Sequence, residues 1–244
     1  INARTGRLEW TCPTQGRIWS SPRVEYEHVF FGSDDHHLYA VSAQTGRVAW
    51  KREMGGPVRS SVAFGQEILY FGCEDGSILA YDIRGEMKWR QRARRGVTST
   101  PCVDLAEGIL FVGSTDWNVY ALDANSGWVV WRTRTNGPVI SSPDLAHGVV
   151  FVGSADKHVY ALDGRTGRVV WKYQTDGQIT SSPRVGNGAV YFGSVDEYIY
   201  SLDAETGELR WRFKTGGPVA SSPALDANIV YIGSTDRRVY ALPA

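Results

Sequence analysis

Histidines, aspartates and serines recur in this 244-residue sequence at spacings that could support metal binding or nucleophilic catalysis. His36, His37 and His158 are candidate metal ligands, and a metal site needs three or four ligands that converge. The first two are adjacent, so on a strand their side chains would point to opposite faces. The third lies far along the chain. We therefore predict no metal site.

Six aspartates occupy one recurring place, the end of a Gly-Ser/Cys-x-Asp pattern. Equivalent carboxylates could indicate a calcium ring, but each belongs to a different repeat and is too far from the others to share an ion. An aspartate at a turn accepts backbone N–H groups of that turn. We predict this structural role for Asp35, Asp75, Asp116, Asp156, Asp196 and Asp236.

Serine pairs and cysteines are the remaining candidates for reactive side chains. Ser-Ser-Pro occurs at 20–22, 141–143, 181–183 and 221–223, with variants at 60–62 and 99–101. No His or Lys stands beside these serines in every copy to act as a base, so nucleophilic catalysis is not predicted. Cys12, Cys73 and Cys102 fall at non-equivalent positions, which is typical of ordinary small residues rather than of disulfides.

A tryptophan motif reveals the elements that position these side chains. A Thr/Ser-Gly step, or Arg-Gly in one copy, precedes each tryptophan by four residues, and successive tryptophans are 40, 39, 42, 40 and 40 residues apart. A period near forty indicates one supersecondary unit repeated along the chain. We predict that the tryptophans pack against the next unit. They are Trp10, Trp50, Trp89, Trp131, Trp171 and Trp211.

The fifth copy, residues 178–215, shows how one unit is built. A short strand is predicted around 179–185, followed by the apolar run AVYFGS, the alternating run YIYSL and the charged run ELRWRFKT, with turns between them. Four antiparallel strands per unit predict an all-β, six-bladed β-propeller. A superhelical stack of the same units is the alternative.

The two ends of the chain carry complementary parts of one unit. Residues 1–13 read as a fourth strand, and the chain ends after a third strand. We predict a single domain, 1–244, in which 1–13 completes the last blade and closes a monomeric ring, hiding two sheet edges. The predicted blades are 17–53, 57–92, 97–134, 138–174, 178–214 and 218–242.

Alternate turns of an antiparallel unit lie at opposite ends. The Asp-turn end holds the turn after Gly-Ser-x-Asp and the connection into the next unit, and there the copies differ sharply. Trp, Tyr and Arg often anchor interfaces, so we predict a binding rim, with freely varying solvated turns as the alternative. Its candidates are Trp19, His36, His37, Arg59, Arg94, Arg95, Trp117, Lys157, His158, Tyr198, Arg237 and Arg238. The opposite, Thr-Gly-turn end is more acidic and is assigned no role.

The repeat resembles the PQQ-type β-propeller repeat, whose tryptophan-docking motif reads Ala-x-Asp-x-x-Thr-Gly-x-x-x-Trp. Residues 161–171 match throughout, 121–131 and 201–211 match closely, and AYDIRGEMKW is one residue short. The resemblance implies that this chain belongs to one of three groups of proteins that carry the repeat. These are quinoprotein dehydrogenases, outer-membrane-assembly lipoproteins that are binding scaffolds, and sensor modules of bacterial signalling proteins.

The dehydrogenases are usually eight-bladed, with long insertions around the quinone and a vicinal cysteine pair. Here the inter-repeat length varies by one or two residues and no cysteines are adjacent. We therefore predict no PQQ or other cofactor and no enzyme activity. The assembly lipoproteins are also usually eight-bladed, so the resemblance does not fix which group this chain joins.

The composition of the chain argues against two classes of partner, nucleic acids and membranes. Lys plus Arg and Asp plus Glu number 26 each, so no net field favours nucleic acid, and no apolar run approaches a membrane span. The chain starts at Ile1 without a leader, as expected of a processed or trimmed protein.

We predict a non-catalytic, extracytoplasmic platform that binds a protein, peptide or small ligand, as the sensor or interaction part of a larger bacterial envelope or signalling protein. The alternatives are a PQQ-dependent or other enzyme with a site at the channel mouth, and a consensus-like or engineered repeat protein without a ligand.

Overall fold

Every regular element of this protein is a β-strand, in a computed structural model that describes residues 1–244. The 23 strands form six antiparallel sheets, five with four strands and the last with three. The prediction of an all-β chain built from six antiparallel units is confirmed, and five of these units have the predicted four strands. The chain divides into two compact units, residues 1–101 with 125–127 and residues 102–124 with 128–244.

The first unit contains two sheets, each a meander in chain order. The first sheet consists of β1 (Arg23–Glu25), β2 (His28–Gly32), β3 (His37–Ser42) and β4 (Val48–Glu53). The second consists of β5 (Ala63–Gly65), β6 (Ile68–Gly72), β7 (Ser77–Asp82) and β8 (Met87–Arg92). Between them lies an apolar core that includes Phe30, Leu38, Leu69 and Phe71.

The second unit contains four sheets of the same order. The third sheet comprises β9 (Cys102–Asp104), β10 (Ile109–Ser114), β11 (Asn118–Asp123) and β12 (Val129–Arg134). The fourth comprises β13 (Asp144–Ala146), β14 (Val149–Gly153), β15 (His158–Asp163) and β16 (Val169–Gln174). The fifth comprises β17 (Arg184–Gly186), β18 (Ala189–Gly193), β19 (Tyr198–Asp203) and β20 (Leu209–Lys214). The last comprises β21 (Ala224–Asp226), β22 (Ile229–Ser234) and β23 (Arg238–Pro243).

Hydrophobic patterning explains which strands are interior. All five residues of β18 are buried, as an uninterrupted apolar run requires, whereas β20 is mostly exposed and carries the charges. The outermost pairing in each four-stranded sheet contains a bulge, for example between Ala161 and Leu162. A bulge re-aims neighbouring side chains, and here the register slips directly after the pair between Ala161 and Trp171.

The first strand of the fifth sheet is shorter than the sequence predicts. In the fifth sheet a strand was expected around 179–185, but β17 begins at Arg184. Pro183 has no N–H for a ladder, and serine hydroxyls replace the ladder upstream of it. Ser181 Oγ accepts the N–H of Gly193 at 3.1 Å, and the N–H of Ser182 donates to Ser222 Oγ at 3.0 Å.

The predicted fourth strand of the last sheet is not found. β23 pairs with β22 alone, and residues 1–13 form no strand. Those residues are held in the first unit by other contacts. Trp10 donates its indole N–H to Ala43 O at 2.9 Å, and Asn2 accepts the N–H of Gly6 in a turn. The last sheet therefore has three strands, and the closure of a ring by the two chain ends stays a prediction.

Candidate functional site

The recurring aspartate links three segments at the Asp-turn end of its sheet. In the fourth sheet Asp156 Oδ1 accepts the N–H of His158 at 3.0 Å. Its Oδ2 accepts the Tyr160 hydroxyl at 2.6 Å and the N–H of Asn136 at 2.8 Å. The carboxylate thus joins its own turn, the third strand and the preceding connection. In four other sheets a tyrosine four residues after the aspartate donates the equivalent hydrogen bond to it. These aspartates are Asp35, Asp116, Asp196 and Asp236.

The second sheet departs from this arrangement because Leu79 stands where the other sheets have tyrosine. Asp75 instead accepts Arg90 Nη2 at 2.6 Å and the N–H of Ser77 at 2.8 Å. Burial opposes ionisation of this carboxyl, but the hydrogen bonds from Ser77 and the charge of Arg90 help to lower its pKa. An arginine therefore supplies here the partner that tyrosine supplies elsewhere.

Lowered carboxyl pKa values make stability depend on pH. A hydrogen bond from Arg210, followed by turn N–H groups, lowers the pKa of Asp203 to about 2, and the pKa values of Asp34, Asp163 and Asp236 are also lowered. Such a group stabilises the fold above its unfolded pKa of about 4, and this contribution is lost as the pH falls through the folded pKa. We expect the urea midpoint to fall between about pH 5 and pH 2. Arg210→Gln should make that fall shallower, and an unchanged slope would contradict this explanation.

The repeated tryptophans contact the following sheet within each unit. Trp171 donates its N–H to Ala204 O at 3.0 Å, and Gly207 lies directly against its ring. Trp10, Trp50 and Trp131 make the equivalent hydrogen bond, and Gly127 lies against Trp89. Trp211 is the exception, because its N–H donates no hydrogen bond. Gly6 has the matching positive φ of 68°, and a Cβ atom there would meet no heavy atom within 4 Å.

Two predicted rim residues come together in the first unit. Trp19, 62% exposed, donates its indole N–H to Asp34 Oδ2 at 3.1 Å. Arg59 Nε donates to Asp34 Oδ1 at 2.8 Å, and its Nη1 reaches Glu74 Oε1 at 3.3 Å. The Arg59 hydrogen bond is the largest cause of the lowered pKa of Asp34. The carboxylate of Asp34 thus holds both an exposed indole and a guanidinium, although the sequence does not predict Asp34 as a rim residue.

The other predicted rim residues of this unit are His36, His37, Arg94 and Arg95. His36 is exposed in the left-handed region, with φ 68°. His37 begins β3, and its Nδ1 lies 2.8 Å from Asp35 O. Arg94 and Arg95 are exposed in the connection that follows β8.

Aromatic side chains with cations over their rings mark the Asp-turn ends of the second unit. The Arg134 guanidinium lies 5.3 Å from the ring centroid of Trp117, and that of Arg212 lies 4.8 Å from the ring of Tyr198. Lys214 Nζ is 5.9 Å from the same tyrosine. Each ring is partly exposed and is held in place by its own sheet.

The remaining predicted rim residues of the second unit differ in their surroundings. His158 is half-buried, with Nδ1 3.0 Å from Asp156 O. Lys157, Arg237 and Arg238 are exposed. No group of three or more His, Cys, Asp or Glu is arranged to hold a metal ion, and all three cysteines are free.

Two cavities open at the Thr-Gly-turn end of the second unit, where no site was predicted. Cavity A, about 510 Å³, lies between the fourth and fifth sheets, and cavity B, about 420 Å³, lies between the third and fourth. His147 lines both. In the sequence it is one residue of a two-residue turn, and nothing in the repeat pattern marks it.

Comparison with known proteins defines the class. A family profile described as "Outer membrane protein assembly factor BamB" matches residues 1–100, 74–184 and 176–244. Since these matches span the whole sequence, the chain belongs to this PQQ-like repeat family. The predicted resemblance is confirmed, and the 23 strands fit six blades of such a β-propeller.

Individual relatives are more distant. The outer membrane protein assembly factor BamB of Bordetella pertussis is 33% identical over 66 residues, which are 27% of this chain and only 17% of that protein. The crystal structure of BamB from Moraxella catarrhalis matches 91% of this chain and 72% of its own, with a TM-score of 0.78 and 20% identity. The computationally designed Ika8 protein matches 95% of this chain and 72% of its own, with a TM-score of 0.84 and 18% identity. At these identities the two structures show the fold alone.

A search of the structure for a helix long and apolar enough to cross a membrane finds none.

Proposed function

We propose that this chain is a non-catalytic scaffold that binds a protein or peptide segment at the Asp-turn ends of its sheets. The observation that carries the proposal is the Trp19–Asp34–Arg59 cluster, because it presents two side chains typical of interface anchors in a fixed geometry. Side chains that are already ordered lose less conformational entropy when a partner binds.

The second unit supports the same role independently. Trp117 and Tyr198 each carry a cation over the ring, which leaves an aromatic surface bordered by positive charge. Arg237 and Arg238 add two exposed guanidinium groups at the last Asp turn. A partner segment with aromatic and acidic side chains fits these surfaces best, because it offers stacking and opposite charge together.

The family supports a particular class of partner. The relative in Bordetella pertussis is an outer membrane protein assembly factor. We place this chain's partner among the proteins of that process, and its site of action outside the cytoplasm. A scaffold role rather than an enzymatic one also agrees with the sequence, in which uniform forty-residue repeats leave no long loop to enclose a cofactor.

A peptide selection tests the proposal. Peptides selected on the intact protein from a random display library are expected to contain aromatic and acidic residues. Calorimetry should then show that Trp19→Ala and Arg59→Ala each weaken binding of the best peptide about tenfold, the effect of removing an interface anchor worth about 1.4 kcal/mol.

Trp128→Ala is the matched control. Trp128 is 77% exposed but lies in the turn before β12, at the Thr-Gly-turn end of its sheet. This variant removes an exposed indole of the same kind and should leave affinity unchanged. Peptides whose affinity survives both Trp19→Ala and Arg59→Ala but falls with Trp128→Ala would refute the proposed location.

A further inference from the structure

The two cavities of the second unit flank a single hairpin. β13 and β14 meet at the His147–Gly148 turn, and both cavities are lined by His147 and Val149. Their volumes, about 510 and 420 Å³, lie within the range of roughly 300–1,000 Å³ that is usual for ligand pockets. A chain lying across this hairpin could place one side chain in each cavity.

Both cavities have an apolar wall. Val149 and Phe151 supply it in cavity A, and Ile109 and Phe111 supply it in cavity B. The phenylalanines are fully buried behind this surface, so the wall is rigid. Aliphatic chains pack on such a wall while a polar head group remains near solvent.

Carboxylates dominate the polar lining. The two cavities together contain Asp104, Glu107, Asp163, Asp203 and Glu205 against only two guanidinium groups. Both arginines are already paired, Arg165 with Glu107 at 2.6 Å and Arg210 with Asp203 at 2.9 Å. Excess negative charge therefore remains in each cavity. Asp163 in cavity B and Glu205 in cavity A form no salt bridge, although the charge of Arg165 acts on Asp163.

Local hydrogen bonds favour the ionised state of Asp163. Asp163 accepts the N–H and the hydroxyl of Thr166, which are the largest causes of its lowered pKa. His147, exposed between the cavities, makes no hydrogen bond through its side chain and has φ 50°. The ridge between the cavities therefore carries a side chain that remains available for contact.

We infer that cavities A and B form one binding site for an extended peptide segment with two basic side chains. The aliphatic stem of each lysine or arginine lies on the apolar wall, and its charged head meets Glu205 in one cavity and Asp163 in the other. This site goes beyond the proposed function, since it lies at the opposite end of the sheets and takes partners of opposite charge.

The test uses a blocked Lys-Ala-Lys-Ala-Lys peptide and calorimetry with the full chain at low salt. Glu205→Gln and Asp163→Asn should each weaken binding about threefold, and the double variant about tenfold, as expected for exposed ion pairs. High salt should weaken binding to the unsubstituted protein. Asp163→Asn is expected to fold, because Asn2 already holds the equivalent turn by accepting the N–H of Thr5 at 3.0 Å.

Glu208→Gln provides the matched control, since Glu208 is exposed in the same turn as Glu205 but lines neither cavity. It should leave the affinity unchanged. The inference is overturned if the lysine peptide does not bind, if Glu208→Gln weakens binding as much as Glu205→Gln, or if a Glu-Ala-Glu-Ala-Glu peptide binds equally well. Substitutions of Glu205 and Asp163 should leave the affinity for the peptide selected at the Asp-turn ends unchanged.

Discussion

Replacing Trp171 by alanine is expected to lower the free energy of unfolding by about 3–5 kcal/mol. The indole packs between the fourth and fifth sheets, where its N–H is bound by Ala204 O at 3.0 Å and its ring covers Gly207. Truncation removes apolar contact area and leaves a carbonyl without its donor. Urea unfolding followed by circular dichroism measures the change.

Trp211→Ala is the internal comparison. Trp211 occupies the same position in the next repeat and packs on Tyr191, but its N–H donates no hydrogen bond. The loss of stability should therefore be smaller than for Trp171→Ala, by about 1 kcal/mol or more. Equal losses would show that the hydrogen bond to the following sheet contributes nothing measurable.

Replacing Gly167 by alanine is expected to cost about 2–5 kcal/mol, the second large effect. Gly167 has φ 70°, and a Cβ atom there would lie 2.6 Å from ring carbons of Trp131 and 2.8 Å from Thr133 Oγ1. The substitution therefore combines left-handed backbone strain with displacement of a docked indole. Thermal and urea unfolding of the variant give the measurement.

Gly108→Ala separates the two causes. Gly108 has φ 66°, yet a Cβ atom there would have no neighbour within 4 Å. Only backbone strain remains, with an expected cost of about 1–2 kcal/mol. If the two variants lost the same stability, close packing of the glycine against the tryptophan could not be a determinant of the fold.

The sequence predicted the sheets because the period is a property of every copy. The strand order, the positions of central strands such as β18 and the family all follow from that regularity. Departures from the regular repeat pattern were harder to predict. The first strand of the fifth sheet is shortened because hydroxyls of Ser181 and Ser222 take over ladder hydrogen bonds, and no propensity scale encodes that exchange.

Individual contacts of the candidate site could not be predicted from the sequence either. Asp34 stands beside the recurring Asp35 and was passed over, although Asp34 is the residue that holds Trp19 and Arg59. The pairing joins residues of neighbouring repeats, so only their folded arrangement brings them together. The cavities beside His147 arise likewise from the spacing between sheets, which no single repeat specifies.

Hydrogen–deuterium exchange of the full chain, with and without the best selected peptide, tests the central claim that partners bind at the Asp-turn ends. We expect slower exchange in residues 15–21 and 56–61, which surround Trp19 and Arg59. Slower exchange confined to residues 104–108 and 163–167, at the opposite end of the sheets, would contradict it.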